Sequence, residues 1–294
     1  SDNSNLYVLN YSEGIGNILW SKETIGSIRA TPAVGDLDHD GSKEIIVGSY
    51  NISTKEYKIY IFKNDGNYYI SPIIVDLNNP TTINSYCRES SPTLADLDKD
   101  GNLEIVLGLP DGSIGVWKKD GSIMWKFDSN ISIYARSSAL GDIDNDGNIE
   151  IVVPINNQLY IFNSSGNIVQ GWPKIAPNYE EYQSSPILSD IDGDDKLEII
   201  MAGIEKIYVY KNNGIEIYPY SFNFVSGALS VPAIGDVENN GKPDLVFSPG
   251  YHNNNIYVWE LNTSLGTINK GWPEAHYDNK NTGCYKCPVC GNSL

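Results

Sequence analysis

An all-β fold, a β-propeller of four-stranded blades, is predicted by three features of this 294-residue sequence. An acidic loop recurs five times, each copy leads into an apolar run and then an alternating aromatic one, and no amphipathic helix of ordinary length intervenes. The copies are GDLDHDGSKEIIVG from Gly35, ADLDKDGNLEIVLG from Ala95, GDIDNDGNIEIVVP from Gly141, SDIDGDDKLEIIMA from Ser189 and GDVENNGKPDLVFS from Gly235. Their first acidic residues, Asp36, Asp96, Asp142, Asp190 and Asp236, are spaced by 60, 46, 48 and 46 residues. Propeller blades repeat at about 40–50 residues.

Each unit reads as four strands. A short first strand precedes the loop, with Pro32, Pro92, Pro186 and Pro232 four residues before the first Asp. The apolar run after the loop, EIIVG, EIVLG or EIIMA, suits a strand buried on both faces. The third strand alternates: KIYIF at Lys58, SIGVW at Ser113, QLYIF at Gln158, KIYVY at Lys206 and NIYVW at Asn255. Turns such as KNDGN, KKDGS and NSSGN then form hairpins into a fourth strand, for example SIMWKF from Ser122.

The N-terminal NLYVLNYSEGIGNILW (Asn5 to Trp20) matches only the third and fourth strands of a unit. The chain thus holds five complete repeats plus an N-terminal outer strand pair, within a propeller spanning 1–273, followed by a cysteine-containing tail at 274–294. The tail lacks both acidic loop and apolar run. It pairs with the orphan strands nevertheless, or the chain is part of a longer one, or a neighbouring subunit completes the blade. The expectation adopted is six blades with a composite last one.

The loops have the donor set of a hard cation. Counting from the first Asp, positions 1, 3, 5 and 9 carry Asp36, Asp38, Asp40 and Glu44; Asp96, Asp98, Asp100 and Glu104; Asp142, Asp144, Asp146 and Glu150; Asp190, Asp192, Asp194 and Glu198; Asp236, Glu238, Asn240 and Asp244. Position 7 contributes a backbone carbonyl from Ser42, Asn102, Asn148, Lys196 or Lys242. Alternate side chains converge as the chain curls, and Gly at position 6 permits positive φ. Oxygen-only ligands select Ca²⁺ over zinc or copper, and Mg²⁺ tends to keep its waters. An EF-hand is excluded, because its position 12 carries a bidentate Glu, and here Val47, Leu107, Val153, Met201 and Phe247 stand there. Asp, Asn and Gly also make ordinary turns. Five copies with acid at the same places speak against that reading, since so many carboxylates in one loop repel without a cation. Up to five Ca²⁺ are expected, offsetting ten of the 17 net negative charges. The fourth loop has Asp195 in place of Gly, and the fifth, with three acidic ligands, is expected to bind most weakly.

These loops resemble the FG-GAP/VCBS repeats of integrin-α-type propellers, with their D-x-D-x-D-G-x-x-[DE] calcium motif. The resemblance runs to about residue 283 and includes GWPEAHYDNKNTG, similar to the ending of many microbial surface proteins with these repeats. It implies that calcium holds the blades in shape while ligands bind at face loops or blade junctions. Its members include adhesins, lectins, integrin heads and the scaffolds of some polysaccharide lyases.

The net charge of −17 argues against nucleic acid and anionic membranes as partners. No apolar stretch reaches the roughly 20 residues of a membrane helix. The N-terminus suits a mature secreted chain or a trimmed one, and sequons at Asn10, Asn51, Asn130, Asn163 and Asn262 are compatible with an exposed surface. Cys87 stands alone, and Cys284, Cys287 and Cys290 form CYKCPVCG. They can form disulfides within or between chains, hold Zn²⁺ with His276 or Cys87 as fourth ligand, or have no special role. The three His (His39, His252, His276) form no catalytic motif. Arg29, Arg88 and Arg136 precede first strands at similar offsets, near the expected central channel; balancing the acidic loops is the plainer role, an anion or sugar site the other. The expectation is therefore a non-catalytic extracellular or cell-surface module that binds a protein or glycan. The alternatives are a self-assembling structural subunit of an extracellular polymer and a polysaccharide-acting enzyme such as a lyase.

Overall fold

A computed structural model describes residues 4–12, 15–78, 90–129, 135–176, 182, 184–203, 206–217, 230–249, 255–261 and 271–272. Cys87, Cys284, Cys287, Cys290, Arg88, His252 and His276, and the tail on which the expected closure of the ring falls, lie outside these residues.

Among the described residues the chain is all-β, and its strands pair with their sequence neighbours. β1 (Asn5–Ser12) and β2 (Ile15–Glu23) form a two-stranded ribbon. The first sheet holds β3 (Ala33–Gly35), β4 (Glu44–Asn51), β5 (Glu56–Phe62) and β6 (Ile73–Val75). The second holds β7 (Thr93–Ala95), β8 (Glu104–Gly108), β9 (Ile114–Trp117) and β10 (Ile123–Phe127). The third holds β11 (Ala139–Gly141), β12 (Glu150–Ile155), β13 (Gln158–Phe162) and β14 (Lys174–Ile175). The fourth has β15 (Ile187–Ser189), β16 (Glu198–Ala202) and β17 (Ile207–Tyr210), and the fifth β18 (Ala233–Gly235), β19 (Asp244–Phe247) and β20 (Tyr257–Glu260). The four-strand expectation thus holds in three sheets. In the fourth sheet the edge is reduced to a bridge between Tyr210 and Glu216, with the Ile217 N–H donating to Val209 O at 2.9 Å.

Burial explains the gradient of strand types. The second strands β8, β12 and β16 are buried at every residue, as their unbroken apolar sequence requires. Outer strands are wetter, and β10 is only half-buried. The first strands β3, β7, β11 and β15 lie beside one another in chain order, giving a propeller-like arrangement. A hydroxyl ladder joins them at their entry. The Thr31 N–H donates to Ser91 Oγ at 3.0 Å, the Ser91 N–H to Ser137 Oγ at 2.9 Å, and Thr93 Oγ1 and Ser138 Oγ lie 2.7 Å apart. Arg136 is tied into this layer, its Nε donating to Tyr182 O at 2.9 Å.

Between sheets the outer strands carry a repeated tryptophan latch. Third strands place two aromatic rings on one face, since strand side chains alternate; Tyr60 stacks on Phe62, Tyr160 on Phe162 and Tyr208 on Tyr210. A Trp from the preceding sheet packs on each pair: Trp20 of β2 on Phe62, Trp125 of β10 on Phe162 and Trp172, two residues before β14, on Tyr210. Each indole Nε1 then donates to a turn carbonyl of the next sheet, Asn64 O at 2.9 Å, Ser164 O at 2.9 Å and Asn212 O at 3.0 Å. The turn must contain glycine where the ring lies over it. A Cβ on Gly166, whose φ is +81°, would come 2.7 Å from Trp125 Cδ2. The second sheet differs, because Gly115 stands where the others have Tyr and its own Trp117 folds over the gap. Trp272 is buried and takes the free edge of β15, exchanging hydrogen bonds with Leu188 at 2.7 and 2.8 Å.

The latch predicts an ordered mutational series in urea denaturation. Trp125→Ala should cost about 3 kcal/mol, the low end for a large aromatic because the ring is half-buried. Trp125→Phe should cost roughly 1 kcal/mol for the lost hydrogen bond, and equal losses in both variants would count against it.

Candidate metal centres

Each acidic loop is the connection from a first to a second strand. The residue before position 1 ends the first strand, and position 9 begins the second: Gly35 faces Glu44, Ala95 faces Glu104, Gly141 faces Glu150, Ser189 faces Glu198 and Gly235 faces Asp244. Alternation then sends positions 1, 3 and 5 into the curl.

Three sets of hydrogen bonds repeat in all five loops. The position 9 carboxylate accepts the N–H of position 2: Glu44 from Leu37 at 3.0 Å, Glu104 from Leu97 at 2.8 Å, Glu150 from Ile143 at 3.1 Å, Glu198 from Ile191 at 3.0 Å and Asp244 from Val237 at 2.8 Å. Position 1 accepts the N–H of position 6, as Asp36 does from Gly41 and Asp142 from Gly147, each at 2.9 Å, with Asp96, Asp190 and Asp236 alike. The position 5 side chain accepts the N–H of position 7: Ser42, Asn102, Asn148, Lys196 and Lys242, at 2.7–3.0 Å. Acidic residues therefore shape the loop as well as lining it.

Position 6 has the left-handed backbone that the sequence predicts, with φ of +90° at Gly41, +88° at Gly101 and Gly147, +85° at Gly241 and 64° at Asp195. No atom lies within 4 Å of a Cβ built on Gly41, Gly101, Gly147 or Gly241, so conformation rather than space selects glycine. A second left-handed residue, at position 4, escaped the sequence reading: His39, Lys99, Asn145, Gly193 and Asn239 all have positive φ. Only Gly193 and the two Asn hint at it, since His and Lys carry no strong left-handed preference.

In four loops the carboxylates converge. Asp36, Asp38 and Asp40; Asp96, Asp98 and Glu104; Asp142, Asp144 and Asp146; and Asp190, Asp192 and Asp194 each offer oxygens within 4.8 Å of one another. Among the described residues the fifth loop gives no such group. There Asn240 donates to Glu238 and Glu260, and Lys242 pairs with Glu260 at 2.7 Å. Whether the residues fit a cation can be judged from the remaining lone pairs. Asp38 Oδ1, Asp96 Oδ1 and Glu198 Oε1 are buried acceptors with no hydrogen-bond partner. Orphaned buried acceptors are costly. An ion held by these carboxylates would satisfy them, so the loops fit a metal ion.

The electrostatics agree. Burial raises the pKa of Glu44 to about 6, of Glu104 to about 7, and of Glu150 and Glu198 to about 8, opposed by the position 2 N–H and reinforced by the neighbouring aspartates. Other groups touch the loops from outside. Tyr69 donates its hydroxyl to Asp38 at 2.8 Å. Lys118 lies 2.5 Å from Asp98 and 3.6 Å from Asp100, and Lys211 lies 2.7 Å from Asp192 and 3.1 Å from Asp194. Both lysines have raised pKa values, chiefly through the bonds to Asp98 and Asp192. Successive loops are joined as well: the Leu103 N–H donates to Leu37 O and the Leu197 N–H to Ile143 O, both at 3.1 Å.

The family profile described as FG-GAP-like repeat matches residues 36–107, 96–153 and 190–247. No curated protein sequence matches the chain. Among solved structures, the Vibrio cholerae biofilm matrix protein Bap1 is similar at 23% identity and a TM-score of 0.54, over 80% of this chain and 40% of that one. Saccharomyces cerevisiae Sqt1 is similar at 13% identity and 0.61, over 90% and 67%. The C-terminal domain of Pseudomonas aeruginosa PilY1 is similar at 11% and 0.53, over 85% and 79%. This chain therefore spans less than half of Bap1, and at these identities the likeness is one of fold.

Without divalent cations, the raised glutamates set the sign of a pH dependence. Their folded pKa exceeds the unfolded value of 4.5, so their contribution to stability is full below pH 4.5 and is lost as pH rises to about 8. The melting temperature of chelated protein should fall across that window, and saturating cation should flatten the slope; a chelated protein equally stable at pH 5 and 8 would contradict it. Gly147→Ala should also lower stability, by about 1 kcal/mol, since alanine resists φ of +88°.

Proposed function

Because the chain belongs to the FG-GAP-like repeat family, we propose that it is a calcium-stabilised β-propeller of six blades. It works outside the cell as a non-catalytic adhesion or ligand-binding module for a protein or glycan. The observation that carries this reading is the set of four carboxylate clusters at equivalent places in successive sheets, with buried oxygens awaiting a partner. Ca²⁺ suits an all-oxygen, irregular cage better than the smaller, more strictly octahedral Mg²⁺. Extracellular modules bind calcium in the 10⁻⁴–10⁻³ M range roughly, so occupancy would follow the calcium-rich exterior. Calcium then has a structural role, fixing the first-to-second-strand turns while loops between sheets remain available to a ligand. The matrix protein from Vibrio cholerae shares this fold, and work in an extracellular matrix is of the kind proposed here.

A second reading, assembly with copies of itself, is favoured by one observation. The β1–β2 ribbon exposes Leu9 (61%), Tyr11 (76%) and Ile18 (62%), and among the described residues β1 pairs only with β2. An uncharged strand with exposed apolar side chains is a template for another strand.

Light scattering and thermal melting with and without a chelator test the first reading. A site held at 100 times its Kd adds about 2.7 kcal/mol, and roughly 2–4 °C accompanies each kcal/mol in large domains. One such site gives about 5–11 °C, so chelation of several should lower the melting temperature by at least about 10 °C while the protein stays monomeric. Unchanged melting would remove calcium from the account; oligomers that disperse in Leu9→Ser, Tyr11→Ser protein would favour assembly.

A further inference from the structure

The residue at the end of the third strand, or the one just after it, comes up against the start of the second strand in every sheet. The register places Phe62 against Ile45, Trp117 against Ile105, Phe162 against Ile151, Tyr210 against Ile199 and Glu260 against Asp244. One step on, or at Glu260 itself, this place holds Lys63, Lys118, Asn163, Lys211 and Glu260. Its chemistry differs from loop to loop. Where position 5 is Asp100 or Asp194, the lysine bridges positions 3 and 5. Where position 5 is Asn240, the place carries Glu260, bound to Asn240 and Lys242. In the third loop Asn163 has no charge to offer, and in the first Lys63 lies 6.0 Å over the Tyr69 ring. Among the described residues, no lysine or arginine forms an ion pair with a carboxylate of the first or third loop.

We propose that Lys118 and Lys211 are tethered counter-ions that compete with the divalent cation for the second and fourth loops. This rests on the reading of the loops as calcium sites and adds that the sites are unequal. An ammonium held by two carboxylates offsets part of their repulsion and occupies their lone pairs. A divalent ion entering there must displace it or bind beside a positive charge. The first loop has no such lysine, and in the third Lys99 bonds Asn148 at 2.8 Å rather than pairing with two carboxylates, so both depend more on the metal. The fifth is closed by its own Glu260 pairs. Tight and weak sites then alternate along the chain, and the backbone bonds Leu103–Leu37 and Leu197–Ile143 join each weak loop to a tight one.

The test is calorimetric titration of the chelated full chain with CaCl₂, comparing wild type, Lys118→Met/Lys211→Met and Lys118→Arg/Lys211→Arg. The wild type should show two classes of site. The Met variant should tighten the weak class by up to about 5-fold, lower the melting temperature of the metal-free chain and leave that of the loaded chain unchanged. The Arg variant, which keeps the charge, should behave as wild type, separating loss of charge from damage to the fold. Four equal wild-type sites, unmoved by Met, would overturn the lysine assignment while sparing the calcium loops, and weaker binding in the Met variant would do the same. A wild-type chain that takes up no calcium would overturn both.

Discussion

One hydrogen bond organises each repeat: the carboxylate at position 9 accepting the N–H of position 2 across the start of the second strand. It is present at 2.8–3.1 Å in all five copies, including the one where Asp244 replaces Glu. The bond folds the loop back onto its own hairpin, with the carboxylate buried where the second strand begins. Burial of that charge is the constraint from which the rest follows. The acids at positions 1, 3 and 5 crowd the same volume, so the loop is stable only when its negative charge is answered. A proton on the glutamate, a lysine just after the third strand, or a divalent ion can each answer it.

Two kinds of contact meet beside each other near the loops. Within a loop, order comes from polar bonds that need charge balance. In the turns after the third strands, the tryptophan latches and the stacked aromatic pairs hold neighbouring sheets by packing and an indole hydrogen bond. These do not need an ion. A chain stripped of metal should therefore loosen first at the loops, with inter-sheet packing persisting, because local stability follows local contacts.

Much of this was legible in the sequence. The five loops, the apolar second strands and the aromatic third strands carry strict spacing and strong side-chain types, so their strands begin within a residue or two of the patterns that announced them. The exclusion of an EF-hand agrees with the structure, since Val47, Leu107, Val153 and Met201 are buried strand residues. Less legible were features made by geometry between units. The left-handed turn at position 4 is carried by His39 and Lys99, whose type does not announce it. Trp20, Trp125 and Trp172 read as core aromatics, but nothing local shows that each reaches a carbonyl some 40 residues on. Lys118 and Lys211 look like ordinary turn lysines until the register sets them opposite the loops.

The central claim is that the four carboxylate clusters are cation sites and the fifth loop is not. Anomalous diffraction from crystals of the full chain grown with a lanthanide in place of calcium tests this most directly. The account predicts peaks inside the loops at Asp36, Asp96, Asp142 and Asp190, strongest at the first and third, and none at Asp236. Peaks absent from the first and third loops, or a peak at the fifth as strong as any, would contradict it.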